Sequence, residues 1–600
     1  MKSLMLLWKV LADELASRCR TSTTLDCKTV ERRVKDEGLS FLTITLPQFG
    51  KDFEKSLESG CLDRQDFQGF SWRSGLPKFL SGFLCQIFDT SDGRLLDNPS
   101  VDAIHAVRQL TLLVGKLFLV SNRDRERAAM DGYVEIEQDV REFDNIFTEE
   151  MRFRFRRVSN LLLGRDLLPI DRKIGRGEYL APMHGPGATA DGLKGNRKWK
   201  QNTWPRRLEE FFPMDEYLLP NHSFWELLEG VDILEPEDEI PVKVISVPKT
   251  QKTPRIIAME PTAMLYAQKS LQEVIYESVQ RSDTLRTLIG FLDQEPNRVL
   301  AERGSSDGSL ATLDLSEASD RVSFEHVREL LAFTPNLLGA VDACRSRKAQ
   351  VDGHGVIPLA KYASMGSALC FPIEAMVFLT LVFIGIEEKL NRHLTRKDVE
   401  SFTGRVRVFG DDIIVPVDCV EQVIWSLEYF GMKVNRSKSF WTGRFRESCG
   451  KEYFAGHDVS IVRVRQLPPA SSADAQRVIS WVQMSNQFYR AGLWRTVRWL
   501  DSFMSGILSD YPVVEESSAV LGRHSFMGYQ AQKTGGRYQV PLVRGFVPHG
   551  VIPANRLDEH HALHKWFLLR GDLPIADEDH LERSGRPSVV NIKRRWAKPY

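Results

Sequence analysis

The sequence has no surplus of charge of either sign: 80 Lys and Arg are matched by 80 Asp and Glu over 600 residues. That excludes a polyelectrolyte tail. It does not exclude a nucleic-acid partner, because a ligand feels the patch it touches rather than the total. No fixed-period repeat and no low-complexity tract stands out, which removes solenoids and collagen-like chains. Cysteine is sparse. The eight residues (Cys19, Cys27, Cys61, Cys85, Cys344, Cys370, Cys419 and Cys449) form no C-x-x-C pair and no zinc-like spacing, so a reducing, cytoplasmic setting is expected. Long hydrophobic runs are missing too. The longest, Ala375 to Ile386, falls short of the roughly 20 residues that span a bilayer and predicts a buried helix, with no membrane partner. The opening MKSLMLLWKVLADELAS is broken by Lys9 and Asp13, which predicts no secretory leader. No G-x-x-x-x-G-K-[ST] occurs, so a nucleotide-driven helicase is unsupported.

The chain does have enough residues, at 42% hydrophobic, for more than one domain. The first three hundred residues are mostly helical in pattern, interrupted by the glycine-rich basic stretch HGPGATADGLKGNRKWK, from His184, which predicts an exposed loop. An acidic linker, LEPEDEIP, leads to KVISVPKTQKTPRIIAME, where two apolar strands flank a turn carrying Lys249, Lys252 and Arg255 and predict a basic hairpin. From Leu310 the pattern becomes strand LATLDL, a glycine-led helix from SMGSALCFPIE, and the alternating hairpin RVRVFGDDIIVPV, which together predict an α+β sheet with helices on one face. Past Pro468-Pro469 a helical pattern interleaves Trp and Arg, and the basic end NIKRRWAKPY is expected to be flexible.

Chemistry concentrates in four places. In VFGDDIIV, Asp411 and Asp412 stand side by side at a tight turn, where repulsion calls for a compensating cation, the alternative being a solvated turn. Asp314 ends LATLDL, either as a strand-end ligand or as a helix N-cap. If the two strands are neighbours, the three carboxylates converge as hard oxygen ligands suited to Mg²⁺, and two such ions can clamp the attacking and leaving oxygens of an in-line displacement. Gly366, Ser364 and Ser367 open a helix with small residues that suit the close approach of a nucleotide or template strand, or that simply start a helix. Lys249, Lys252 and Arg255 could neutralise a triphosphate or remain a solvated face.

Weaker candidates read as structural. His560, His561 and His564 place two imidazoles at i, i+4 but lack the H-E-x-x-H context of a zinc hydrolase, and a solvated helix face is the simpler account. MRFRFRR at Met151 to Arg157, and the cluster Trp494, Arg495, Arg498, Trp499, could stack on RNA, but amphipathic surfaces packing their aromatics inward explain them better.

Taken in order, VPKTQKTPRIIAMEP, LATLDLSEASDRVS, SMGSALCFPIE, FGDDIIV and FRESCGKEYFAGHDV resemble the RNA-dependent RNA polymerases. Among these the chain is most similar to the replicase subunit of the small positive-strand RNA bacteriophages, the leviviruses. The last motif is narrower to that family than GDD is, and together the motifs cover roughly residues 240 to 460. The resemblance implies an α+β right-hand polymerase: N-terminal region and fingers over 1–309, palm with an antiparallel sheet over 310–459, and a helical thumb with the C-terminal region over 460–600. It implies that Asp314, Asp411 and Asp412 are catalytic and hold two Mg²⁺ ions, with Mn²⁺ as a substitute, Asp314 and Asp411 being the surer ligands. Lys249, Lys252 and Arg255 would meet nucleotide phosphates, Ser364 and Gly366 would lie near nucleotide and template, and Lys438 would be a general acid for pyrophosphate, although Lys433 and Arg436 nearby fit a solvated loop equally well. The family often has a second Asp five positions after the first; here that position is Ser319, followed by Asp320, and which of the two reads the ribose 2′-hydroxyl is open. Small polar residues there favour ribonucleotides, since reverse transcriptases typically place a bulky aromatic hereabouts. Implied partners are RNA template and NTPs, host elongation factors Tu and Ts and a small-subunit ribosomal protein, in the cytoplasm of a bacterial host. A reverse transcriptase and a catalytically silent RNA-binding scaffold are the alternatives.

Overall fold

A computed structural model describes residues 2–250, 253–536, 538–552, 554–569 and 587–600. Lys252 of the basic turn lies outside the described residues. Elements that position the site begin with three helices, α1 (Lys2–Arg18), α2 (Leu46–Ser59) and α3 (Val101–Leu112), then the long α4 (Arg123–Ile146) and α5 (Glu149–Gly175). Next come β1 (Val242–Val247), β2 (Arg255–Met259), α6 (Thr262–Arg281), α7 (Glu295–Asp307), β3 (Leu310–Leu313), β4 (Lys348–Val351), β5 (Gly355–Pro358) and α8 (Cys370–Leu390). The hairpin β6 (Arg407–Phe409) and β7 (Asp412–Pro416) precedes α9 (Val420–Tyr429), and a second hairpin, β8 (Phe445–Ser448) and β9 (Lys451–Phe454), leads to α10 (Ala475–Arg490) and α11 (Trp494–Ser505). Helices and largely antiparallel sheets alternate irregularly, which makes the fold α+β.

Two large apolar cores organise the chain. One gathers residues between Phe143 and Val434 around α8, whose apolar run is buried on every side, as a helix without a polar face must be. By length and composition α8 could cross a bilayer; here nearly all of it is enclosed by protein. The other core joins Leu4–Leu117 to Phe440–Leu521, so that α1, α2 and α3 pack with β8, β9, α10 and α11 although more than three hundred residues separate them in sequence.

The central sheet has the order β6-β7-β3, all antiparallel, with Ile413 opposite Leu313 and Val415 opposite Ala311. Those four side chains share one face of the sheet and belong to the first core. On the other face, Gly304 of α7 comes so close that a Cβ would stand 2.9 Å from the Leu310 Cβ. All four residues of β3 are therefore buried, and the expectation of helices on one face is corrected: both faces are covered, which is why the strand reads as an unbroken apolar run. A second sheet, β2-β1-β4-β5, contains the expected basic hairpin, with Val247 opposite Arg255.

Three further expectations are revised. The stretch from His184 is anchored rather than exposed: Asn196, Lys198 and Trp199 are buried, and the Lys198 ammonium donates to the Gly185 and Gly187 carbonyls. The C-terminal NIKRRWAKPY is a strand (Val589–Ala597) paired over nine residues with Val540–Val551. The histidine helix, Glu559–Leu569, is docked rather than solvated, since His564 is buried and hydrogen-bonds the Tyr266 hydroxyl at 2.9 Å. MRFRFRR meets its expectation only in part: Phe155 is in the core and Arg152, Arg154 and Arg156 pair with Glu325, Glu388 and Glu329 at 2.5, 2.8 and 2.7 Å, but Phe153 is exposed, as is Trp494 of the Trp-Arg cluster, so not all of these aromatics pack inward.

Candidate active site

The β6-β7 hairpin turns through Gly410 and Asp411. Gly410 has φ +58°, and a Cβ there would stand 2.6 Å from the Phe371 ring, so glycine is required on both counts. The turn leaves Asp411 exposed at its tip and Asp412 at the start of β7. Because Ile413 is opposite Leu313, the register carries Asp314, one residue past the end of β3, to the same end of the sheet. The three carboxylates feel one another: burial raises Asp412 to about 6, and the charges of Asp411 and then Asp314 add to it. Burial also raises Asp314, with Asp411 again contributing upward.

Asp314 is held from the loop that follows α9. Its N–H donates to the Ser439 hydroxyl at 3.1 Å, its Oδ2 accepts from Asn435 Nδ2 at 2.9 Å, and Lys438 Nζ lies 3.3 and 3.4 Å from its two oxygens. Burial works against the Lys438 charge, but Asp314, then Glu447 and Asp411, hold its pKa above the ordinary lysine value. Asp412 is turned to the second hairpin, where Oδ1 accepts from the Cys449 N–H at 3.2 Å and from the Ser448 hydroxyl at 3.4 Å. Beneath the turn, Glu374 of α8 is buried. Burial, followed by the charges of Asp411 and Asp320, pushes it well above the ordinary carboxylate value.

The basic hairpin faces this end of the sheet. Lys249 is lowered by its crowded position and by Arg255 and Lys438, while Asp411 and Asp314 pull it upward, which places it in the field of the carboxylates. Gly366 has φ +136°, and a Cβ there would stand 1.8 Å from the Ala258 carbonyl oxygen of β2. Its loop is thereby docked on the basic hairpin, with Ala258 N–H donating to the Met365 carbonyl at 2.9 Å. Ser364, buried, donates to Asp320 Oδ1 at 2.8 Å, and Ser319 hydrogen-bonds the Cys370 thiol instead.

Among the described residues no three acidic, imidazole or thiol groups close into a ready-made metal cage. The donor chemistry nevertheless fits a hard divalent cation: the carboxylates of Asp314, anchored by Asn435 and Lys438, and of Asp411 stand where like charges raise their neighbours, and Mg²⁺ uses one or two carboxylates and completes its shell with water and substrate phosphates. Sequence reasoning missed Asn435, Ser439 and Glu374, although each lies inside or beside a stretch already singled out. Asn435 and Ser439 flank the Lys438 already singled out, in the stretch NRSKSF, and Glu374 is the final residue of SMGSALCFPIE.

Residues 239–493 match the family described as "RNA replicase, beta-chain". The chain is 35% identical over 257 residues to the RNA-directed RNA polymerase subunit beta of Qbeta virus (strain MX1), covering 42% of this chain and 39% of that protein. To the RNA-directed RNA polymerase beta chain of Enterobacteria phage fr it is 37% identical over 224 residues, 37% of each chain. The match thus spans about two fifths of the length of these relatives. In structure, the chain is similar to the BmCPV RNA-dependent RNA polymerase at its elongation state, with 10% identity, a TM-score of 0.36, and coverage of 60% of this chain and 34% of that one.

Proposed function

Because residues 239–493 carry the sequence of the RNA replicase beta-chain family, we propose that this protein is an RNA-directed RNA polymerase of levivirus type, extending RNA on an RNA template. The observation that carries the reading is the placement of Asp314 and Asp411 at one end of the central sheet with Lys438 against Asp314. In this reading 1–309 contain the fingers, 310–459 the palm and 460–600 the thumb and C-terminal region.

The reaction joins an RNA 3′-hydroxyl oxygen to the α-phosphorus of an NTP and breaks the bond to the β-phosphate, releasing pyrophosphate. Asp314 and Asp411, with Asp412 behind them, would hold two Mg²⁺ ions. When bound, the ions neutralise the triphosphate and stabilise the attacking and leaving oxygens. The chain's own part is positioning and charge. Lys249 and Arg255, with Lys252, bring cations to the phosphates, and Asn435 and Ser439 fix the Asp314 carboxylate and backbone. Lys438, held protonated beside Asp314, is placed to give a proton to the departing pyrophosphate. Ser364 and Asp320 form the pair that accepts the ribose, with Gly366 setting the loop. By family, elongation factors Tu and Ts and a small-subunit ribosomal protein would be partners, in the host cytoplasm.

The test is extension of a primed RNA by the purified chain with Mg²⁺, given NTPs or dNTPs, with and without bacterial extract. Ribonucleotide extension is expected. Preference for dNTPs would identify a reverse transcriptase, and RNA binding without extension, even with extract, would identify a scaffold.

A further inference from the structure

Lys361 is a lysine with no exposed side-chain surface, just upstream of the loop that carries Ser364. Buried ammonium groups are rare and costly unless paired, so its surroundings carry information. Its Nζ lies 3.4 Å from Asp320 Oδ1, 3.4 Å from the Tyr133 carbonyl and 4.0 Å from Glu137 Oε2, and 3.7 Å above the Tyr133 ring. Tyr133 and Glu137 both belong to α4, far away in sequence. Arg321, next to Asp320, ties the same segment to α4 through Asp139 at 3.0 Å.

The hydroxyls complete the circuit. Ser364 has one proton and donates it to Asp320 Oδ1 at 2.8 Å, so the 3.1 Å contact between the Tyr133 hydroxyl and Ser364 Oγ must have tyrosine as the donor. Burial, reinforced by the Asp320 charge, holds the Tyr133 phenol far above its ordinary value, which keeps that donor in place. Asp320 Oδ1 therefore receives both Ser364 and Lys361, while Oδ2 has no hydrogen bond among the described residues.

We propose that Lys361, with Tyr133, is a specificity-positioning residue: it locks Asp320 and Ser364 into one rigid unit whose free Asp320 oxygen reads the ribose 2′-hydroxyl of the incoming nucleotide. This rests on the polymerase reading above. The rationale is that a carboxylate left to rotate accepts a hydroxyl poorly, whereas one fixed through a single oxygen presents the other at a set angle. A site built to hydrogen-bond a hydroxyl discriminates strongly against the analogue that lacks it.

Single-nucleotide extension of primed RNA with CTP and with dCTP tests this in Lys361→Met, Lys361→Arg and Tyr133→Phe, each checked for folding by circular dichroism and thermal midpoint. In Lys361→Met, kcat/KM for CTP should fall about ten- to a hundredfold while that for dCTP moves little, so the CTP/dCTP ratio collapses. Lys361→Arg should recover part of the ratio. Tyr133→Phe removes one hydroxyl and should lower the ratio about three- to tenfold, and it carries the test if Lys361→Met fails to fold. Equal losses on both substrates, or an unchanged ratio, would reduce Lys361 to a structural tie between α4 and the sheet and overturn the proposal. A wild-type chain that extends with neither substrate would overturn the polymerase reading itself and this inference with it.

Discussion

Two clusters of carboxylates lie in this molecule and are balanced in opposite ways. In the clasp between α2, α3 and β9, the buried Arg108 guanidinium meets Glu54 Oε1 at 2.8 Å and Glu452 Oε1 at 2.9 Å, with Arg463 3.1 Å from Glu452 and the Val459 carbonyl on the far side of Arg108. Burial works against the Arg108 charge, but Glu452 and Glu54 outweigh it, and Glu452 is correspondingly lowered. At the end of the central sheet, among the described residues, only Lys438 forms an ion pair with Asp314, Asp411 or Asp412, Lys249 acting on them through its field alone, and Asp412 and Asp314 are raised. The protein can pair buried acids internally where it holds its two ends together, and leaves them short of positive charge where substrate and cation would arrive. A deficit of compensation thus separates a site from a staple more clearly than a count of acidic residues does.

The largest effect expected from breaking that contrast is at Asp411. Asp411→Asn removes an exposed carboxylate that has no hydrogen bond or ion pair among the described residues, so RNA binding and thermal midpoint should stay near wild type while RNA synthesis drops by more than about a thousandfold. Undiminished synthesis would show that the uncompensated cluster is not where the chemistry occurs. On the other side, Arg108→Ala leaves Glu54 and Glu452 buried without their cation. It should cost about 3–5 kcal/mol, read as a large fall in the thermal midpoint. A variant of ordinary stability would mean that the clasp is solvated in solution.

Much of this contrast was legible in the sequence on one side only. GDD and the strand-end aspartate are local patterns, so Asp314, Asp411, the hairpin and the apolar helix could be placed from spacing alone. FRESCGKEYFAGHDV stood out only as a resemblance, and its physical content emerges from contacts: Cys449 N–H on Asp412, Glu452 on Arg108. Arg108 itself sits in an unremarkable helix, since its partners are 54 residues away in one direction and more than three hundred in the other. The docked histidine helix and the terminal strand were misjudged for the same reason. Polar local composition suggests solvent, and only the tertiary partner, Tyr266 or the strand Val540–Val551, reverses it.

Acidity sharpens the comparison further. Asp412 is raised from near 3.8 to about 6, so between those values the folded chain keeps a proton that the unfolded chain has released. Its contribution to stability is full below pH 4 and is lost as pH rises through 6, by about 3 kcal/mol. Mg²⁺ should therefore raise the thermal midpoint at pH 7.5 and hardly at pH 4.5. Asp412→Asn should remove that part of the pH dependence and stabilise the metal-free chain at pH 7.5. If Mg²⁺ stabilises equally at both pH values, the raised acid is not part of the cation site.

The smallest effect concerns Glu447, which bridges the two regions. It stands opposite Glu452 in the β8-β9 pair and is raised by burial and then by Glu452 and Glu54, while the charge of Lys438, from the active-site side, lowers it. Glu452 takes the guanidinium and is lowered, which leaves Glu447, raised to about 7, as the member of the pair that is neutral at mildly acid pH. Glu447→Gln replaces one neutral hydrogen-bonding group by another of the same shape and should shift stability by less than about 1 kcal/mol. Glu452→Gln, at the neighbouring position, strips Arg108 and Arg463 of a shared anion and should cost about 3 kcal/mol. Thermal midpoints of the two variants measured side by side at pH 5.5 decide the assignment: equal losses would mean that both acids are charged and that the clasp, like the candidate active site, runs short of positive charge.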